Sequence, residues 1–157
     1  MSQHWPAAGL DPVRRLRVIA AATPGAIYAE EHIPAPFDAV WAVASDLEAE
    51  VPRIITDVAA FTVTASDAGL LEARARSRLG LRARFDVVLR PGWCLMQSRF
   101  LVFGMAAVPE SGGTRFAGLG GLRLPCARLL GPANRWLLTR RLGHRAIGRL
   151  AERVRSP

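Results

Sequence analysis

Leu130 to Val154 reads LGPANRWLLTRRLGHRAIGRLAERV, and the fold turns on how that stretch is taken. Pro132 stands near its start, where a helix has no use for the missing N–H, and no proline follows until Pro157. A helix over these residues is roughly 35 Å long, the width of a small domain. Steps of three and four collect Ala133, Trp136, Leu137, Arg140, Gly143, His144, Ile147, Leu150, Ala151 and Val154 into one stripe. That stripe is apolar at both ends and polar or small in its middle. The opposite side carries Arg135, Arg141, Arg145, Arg149 and Arg153. Such a helix needs a surface to lie on, and the preceding residues predict one made of strands.

Working back from the helix, Thr114–Leu124 reads as the last strand, loosened by Gly118, Gly120 and Gly121. Before it lie about Leu101–Val108 and Trp93–Phe100. Leu81–Leu89 and Leu70–Leu79 alternate apolar and charged residues, and Ala59–Ala65 precedes them. Asp67-Ala68-Gly69, Gly80, Pro91-Gly92 and Glu110-Ser111-Gly112-Gly113 supply the turns. Ile27–Ile33 is a further strand, closed by Pro34 and Pro36. Phe37, Val40, Trp41 and Ala44 then recur at helical spacing, and a second helical piece covers about Leu47–Ile54, bent by Pro52. Asp11-Pro12 starts a short helix with Val13, Leu16 and Ala20 on one face. That face is expected to cover Leu138 and Leu142 on the arginine side of the last helix. Short turns between strands imply an antiparallel sheet, and helices on one face of it make an α+β layer fold. The chain divides into an extension, residues 1–25, and one domain, residues 26–155.

At 157 residues one domain can bury ~70% of its unfolded surface. The two cysteines, Cys94 and Cys126, have no paired spacing, which speaks against a disulfide framework or a metal-binding pair; both read as small buried hydrophobes in a cytoplasmic protein. Arg14–Ala29 begins like a secretion signal, but its apolar run is short and broken by Thr23, Pro24 and Gly25. No stretch has the length of a membrane span. The net charge is +8, and every basic side chain is arginine. Exclusion of lysine points to genomic bias, so arginine counts carry little functional weight. The field still favours anionic partners.

Ile33-Pro34-Ala35-Pro36, followed by Val40-Trp41 and Ser45-Asp46-Leu47-Glu48, resembles the opening of the START-like, birch-pollen-allergen-like superfamily. Within it, the chain is most similar to the bacterial polyketide cyclase/dehydrase and lipid-transport group. The resemblance covers about residues 26–155. It implies a helix-grip fold, a curved sheet of about seven strands wrapped around the last helix with an apolar cavity between them. It also implies a lipid, polyketide, isoprenoid or similar hydrophobic ligand, which some members cyclise or dehydrate. Arg53-Ile54 stands where the family often has an aromatic. No cyclase catalytic set maps onto this sequence, so the catalytic residues stay unassigned.

Several residues are candidates for a ligand site. Arg140, inside the apolar stripe, either anchors a ligand carboxylate, enolate or phenolate or carries its charge to the rim. His144, one turn on, either moves protons beside it or is a surface hydrogen-bonding group. Gly143 leaves room for a ligand or for a close strand. Trp136, Trp41, Phe85 and Met96 are cavity walls or plain core, and Ser77 is a polar group on an inward strand face. Asp46 reads as a helix cap. Gly118-Leu119-Gly120-Gly121 is not a dinucleotide loop. No cluster has metal-ligand spacing, and no cofactor is implied. Arg74, Arg76, Arg78, Arg82 and Arg84 form a basic stripe without interleaved aromatics, which reads first as a solvated face and otherwise as weak contact with anionic lipid headgroups or nucleic acid, not as a specific nucleic-acid site. Three readings follow: a hydrophobic-ligand binder, a cyclase or dehydratase on such a ligand, and a basic interaction module.

Overall fold

The structure, a computed structural model, describes the backbone of residues 9–65, 70–122 and 132–155, with side chains throughout except at 122 and 132–142. The elements are α1 (Pro12–Ala22), β1 (Ile27–Ile33), α2 (Phe37–Ser45), α3 (Leu47–Ile54), β2 (Val58–Ala65), β3 (Leu71–Ser77), β4 (Arg82–Arg90), β5 (Trp93–Gln97), β6 (Leu101–Glu110), β7 (Gly113–Leu122) and α4 (Pro132–Arg155). All seven strands form one antiparallel sheet in the order β1-β7-β6-β5-β4-β3-β2. The α+β architecture of the sequence reading is the one observed, a curved sheet with a long C-terminal helix and two short helices after the first strand. The expected turn at Asp67-Ala68-Gly69 and the second cysteine, Cys126, lie outside the described residues.

Period-two alternation sorts each strand's side chains to two faces. The inner face receives Ala29 and Ile33 of β1, Ala73 of β3, Phe85 and Val87 of β4, Cys94 and Met96 of β5, and Phe116 of β7, all buried beneath the helices. α4 lies over β1 and β7 and touches α2 and α3. Its stripe residues Ile147, Leu150 and Ala151 are buried against Ala29, Val40, Ala107 and Phe116. Small residues bring helix and strands together. A Cβ on Gly143 would lie 2.8 Å from the Ala29 Cβ, closer than real contacts allow, and Gly118 faces Ile147.

The short first helix departs from the sequence reading. α1 packs on the outer face of β6 and β7, not behind α4. Its fully buried Val13 and Leu16 meet Val102, Ala106, Ala117 and Leu119. The reason is visible at Gly104, where any Cβ would stand 2.6 Å from the Leu16 Cδ1. Asp11 caps the helix through the Arg14 N–H at 2.9 Å, as its position before Pro12 implies. A charge network fastens it to the sheet. Arg17 donates to Glu30 at 2.6 Å, Tyr28 donates to the same oxygen at 2.6 Å, and Arg115 donates to Asp11 at 3.2 Å. Burial pushes the Glu30 carboxyl up, but Arg17 and Tyr28 outweigh it and hold the group below its ordinary value. Burial and then Glu30 push the Tyr28 hydroxyl up to about 12.

α2 and α3 meet at Asp46, whose side chain caps α3 through the Ala49 N–H at 3.2 Å, as expected. α3 covers the β2 edge, where Glu48 accepts from the Val63 N–H at 2.6 Å. α3 is also latched to α4. Glu50, only 4% exposed, takes Arg53 at 2.9 Å and Arg153 at 3.1 Å, and Arg149 donates to the Ile54 carbonyl at 2.9 Å. Arg149 and Arg153 therefore clamp two helices together; the sequence assigned them only to the far side of α4.

Candidate functional site

The inner face of the sheet is not uniform. Under the C-terminal half of α4 it is closed and fully buried. Across β3–β6 it changes character. Phe85 is buried, with its ring 6.3 Å from that of Phe61 and 5.9 Å from that of Phe103. Beside these rings, on the same face of the sheet, stand Leu89, Leu101, Phe103 and Met105, with Ala75 and Ala83 farther along β3 and β4, each only half-buried. Together they form an apolar wall that keeps solvent-accessible surface in spite of its composition. Small side chains at Ala75 and Ala83, opposite one another in register, leave depth on the side of the hairpin that joins β3 to β4.

The candidates from the sequence fall in different places. Phe85 and Met96 are the buried members of the same face, next to Phe103. Trp41 on α2 is half-buried, touches both inner clusters, and lies parallel to Phe37 with ring centres 6.4 Å apart. Ser77 ends β3, where its hydroxyl accepts from the Leu81 N–H at 3.0 Å and closes a hairpin. Gly143 faces Ile27 and Ala29. His144 stands at the β1 side of α4, and its Nδ1 hydrogen-bonds the Glu31 carboxylate, both side chains being about two-fifths exposed. The side chains of Arg140 and Trp136 lie outside the described residues. The structure thus brings Trp41, Phe85 and Met96 together, and places Ser77 and His144 at the margins.

Phe103, Met105 and Glu31 are residues that the sequence reading passed over. The signal for Glu31 was present. It shares a phase with Ile27, Ala29 and Ile33, so an acid there faces inward and needs a partner. Phe103 and Met105 were hidden by their alternation with Val102, Gly104 and Ala106, which are buried on the outer face. A strand covered on both faces loses its polar/apolar rhythm.

Chemically, the wall is oily and nearly inert. Cys94 is fully buried, and burial pushes its thiol up to about 12, far from a reactive thiolate. Among the described residues no three His, Cys, Asp or Glu side chains gather as a metal site, and no described helix is long and apolar enough to cross a membrane. Among the described residues, the acid–base pair adjoining the inner face is His144–Glu31.

No protein-family model and no curated protein matches the chain. Solved structures do. The crystal structure of TTHA0849 from Thermus thermophilus superposes with a TM-score of 0.59 at 22% identity, over 83% of this chain and 97% of that one. Zhui aromatase/cyclase from Streptomyces sp. R1128 gives 0.59 at 12% identity, over 83% and 93%. Ara h 8.0201 gives 0.56 at 10% identity, over 84% and 98%. At these identities the likeness is one of fold, and it is the helix-grip fold that the opening motif implied.

Proposed function

We propose, with the helix-grip fold as premise, that this chain binds a hydrophobic small molecule of lipid, polyketide or isoprenoid type between the inner wall of β3–β6 and α4. The observation that supports the reading is the half-buried wall of Leu89, Leu101, Phe103 and Met105. Exposing contiguous apolar surface is costly, and proteins keep it where something binds. In this reading Phe85, Met96 and Trp41 form the floor and one side of the site. Trp136 and Arg140 belong to its α4 side, with Arg140 as anchor for an acidic ligand group, whereas Gly143, tight against Ala29, makes room for the strand and not for the ligand. That one solved neighbour of this fold is an aromatase/cyclase supports a ring-bearing or ring-forming ligand.

The test uses a neutral apolar fluorophore, N-phenyl-1-naphthylamine, because an anionic probe would also be drawn to arginine. Saturable binding is expected, weakened about tenfold by Ala83→Phe, which adds bulk next to Phe85 on the inner face. Native mass spectrometry of freshly purified protein is expected to show a retained apolar molecule. Failure of the fluorophore to bind, together with empty protein, rules the reading out.

A second reading makes the protein a cyclase or dehydratase. His144 and Glu31 favour it. A carboxylate that accepts from Nδ1–H holds the tautomer whose Nε2 takes a proton. Turnover of a co-purified ligand, abolished in His144→Gln with binding retained, would establish this version. Binding without conversion leaves a carrier.

A further inference from the structure

Two neighbouring hairpins turn at the same end of the sheet, the first projecting about four residues beyond the second. β3 and β5 run in the same direction, each antiparallel to β4, so the turns that follow them share an end. Each turn is closed by a serine. Leu81 donates to the Ser77 hydroxyl at 3.0 Å, and Leu101 donates to the Ser98 hydroxyl at 2.9 Å. Hairpin tips ordinarily carry polar turn residues. These carry Leu79, 90% exposed, Leu81, 71% exposed, and Phe100, 50% exposed. None of the three belongs to an inner or outer cluster, so the fold gains nothing from their hydrophobicity.

Directly behind the first tip, the outer face carries paired arginines. Register sets Arg74 opposite Arg84 and Arg76 opposite Arg82, an arrangement that costs stability because like charges face each other. Glu72 relieves one pair, reaching Arg74 at 3.2 Å and Arg84 at 3.0 Å. Arg76 and Arg82 form no ion pair among the described residues. With Ala60 and Thr62 as floor, the four guanidinium groups line an open groove of about 540 Å³. At the second tip, Arg99 lies over the Phe100 ring at 5.2 Å.

We propose that this end of the sheet docks on an anionic lipid bilayer. Leu79, Leu81 and Phe100 enter the edge of the hydrocarbon, while Arg76, Arg82 and Arg99 meet lipid phosphates. Apolar tips collared by arginine suit an interface that is oily within and negatively charged at its rim. RNA or an acidic protein satisfies the arginines but leaves the leucines in water. Docking needs no ligand in the site, so its failure leaves the small-molecule reading untouched, and the reverse also holds.

The experiment is co-sedimentation of the full chain with two kinds of vesicle. One kind is phosphatidylcholine alone, and the other carries about a quarter phosphatidylglycerol. Binding to the anionic vesicles alone is expected, weakening steeply between about 0.1 M and about 0.5 M salt. Leu79→Ser with Leu81→Ser is expected to weaken it about tenfold, and Arg76→Gln with Arg82→Gln by a similar factor. These side chains are exposed, so unchanged melting curves confirm that all variants fold. Absence of binding overturns the proposal, as does equal binding to both vesicles. So does full affinity in the double serine variant, which identifies a polyanion groove that single-stranded RNA or an acidic protein would then occupy.

Discussion

The inner face of the sheet has two halves built by opposite choices of side-chain size. Where α4 lands, the residues are small. Ala29, Gly118 and Gly143 let helix and strands approach closely, and Ile147, Leu150 and Ala151 are buried against them. Across β3–β6 the residues are large, namely Phe85, Phe103, Met105 and Leu101, yet the front rank remains half-buried. Size therefore does not track burial here. Small residues mark the place where the helix is held, and large ones mark a wall that the described part of the protein does not cover.

The strongest way to break this contrast is to enlarge one residue on each side. Gly143→Leu drives a side chain into Ala29 and is expected to cost ~3 kcal/mol, a fall in Tm of about 6–12 °C. Ala83→Leu, on the half-buried wall, is expected to stay within ~1 kcal/mol of the parent. Equal losses by calorimetry would mean that both halves are ordinary packed core.

A middle-sized effect belongs to the latch that positions α4. Glu50→Gln leaves Arg53 and Arg153 without their buried carboxylate. Because both arginines reach water, we expect a loss of ~1–2 kcal/mol in urea unfolding. The sign with pH follows from the ionisation. Burial pushes the Glu50 carboxyl up, but Arg153 and Arg53 outweigh it and hold the folded-state value below the ordinary one. The contribution is therefore complete above the unfolded-state value of about 4.3 and lost as pH falls through the lower folded value. The gap between parent and variant is expected to narrow on acidification; a constant gap down to about pH 2 would remove the charge explanation.

Smaller effects sharpen the boundary of the wall. His144→Gln removes a half-exposed pair with Glu31 and is expected to cost less than ~1 kcal/mol, read from the same urea curves. A larger loss would place the pair inside the closed half. Smallest of all, Cys94 lies fully buried between Leu89 and Met105 of the wall, with its thiol pushed up to about 12. In native protein iodoacetamide is expected to leave it unmodified, by peptide mass mapping. Prompt alkylation would show that the wall opens between Leu89 and Met105.

The sheet, its order of hairpins and the terminal helix were legible in sequence because each rests on local signals. Leu71 to Val87 alternates, glycines and prolines mark the turns, and α4 shows a helical stripe. The docking of α1 was not legible. Val13 and Leu16 announce a buried face without saying against what, and the receiving surface around Gly104 is assembled from strands far along the chain. The Glu50 latch escaped notice for the same reason, since Arg153 lies on the helix side assigned to solvent and its partner is a hundred residues away. Of the site, the aromatic floor at Trp41 and Phe85 could be named from spacing. The front rank at Phe103 and Met105 could not, because β6 is apolar on both faces.

Glu48 accepting from the Val63 N–H has one more consequence. β2 is one of the two edge strands of the sheet, a place where a stray chain would add itself as an eighth strand. A carboxylate already seated on that border means an incomer must first evict it and leave a negative charge stranded beside its own backbone carbonyls. The short helix after α2 thus guards the seam through which identical molecules would otherwise stitch together.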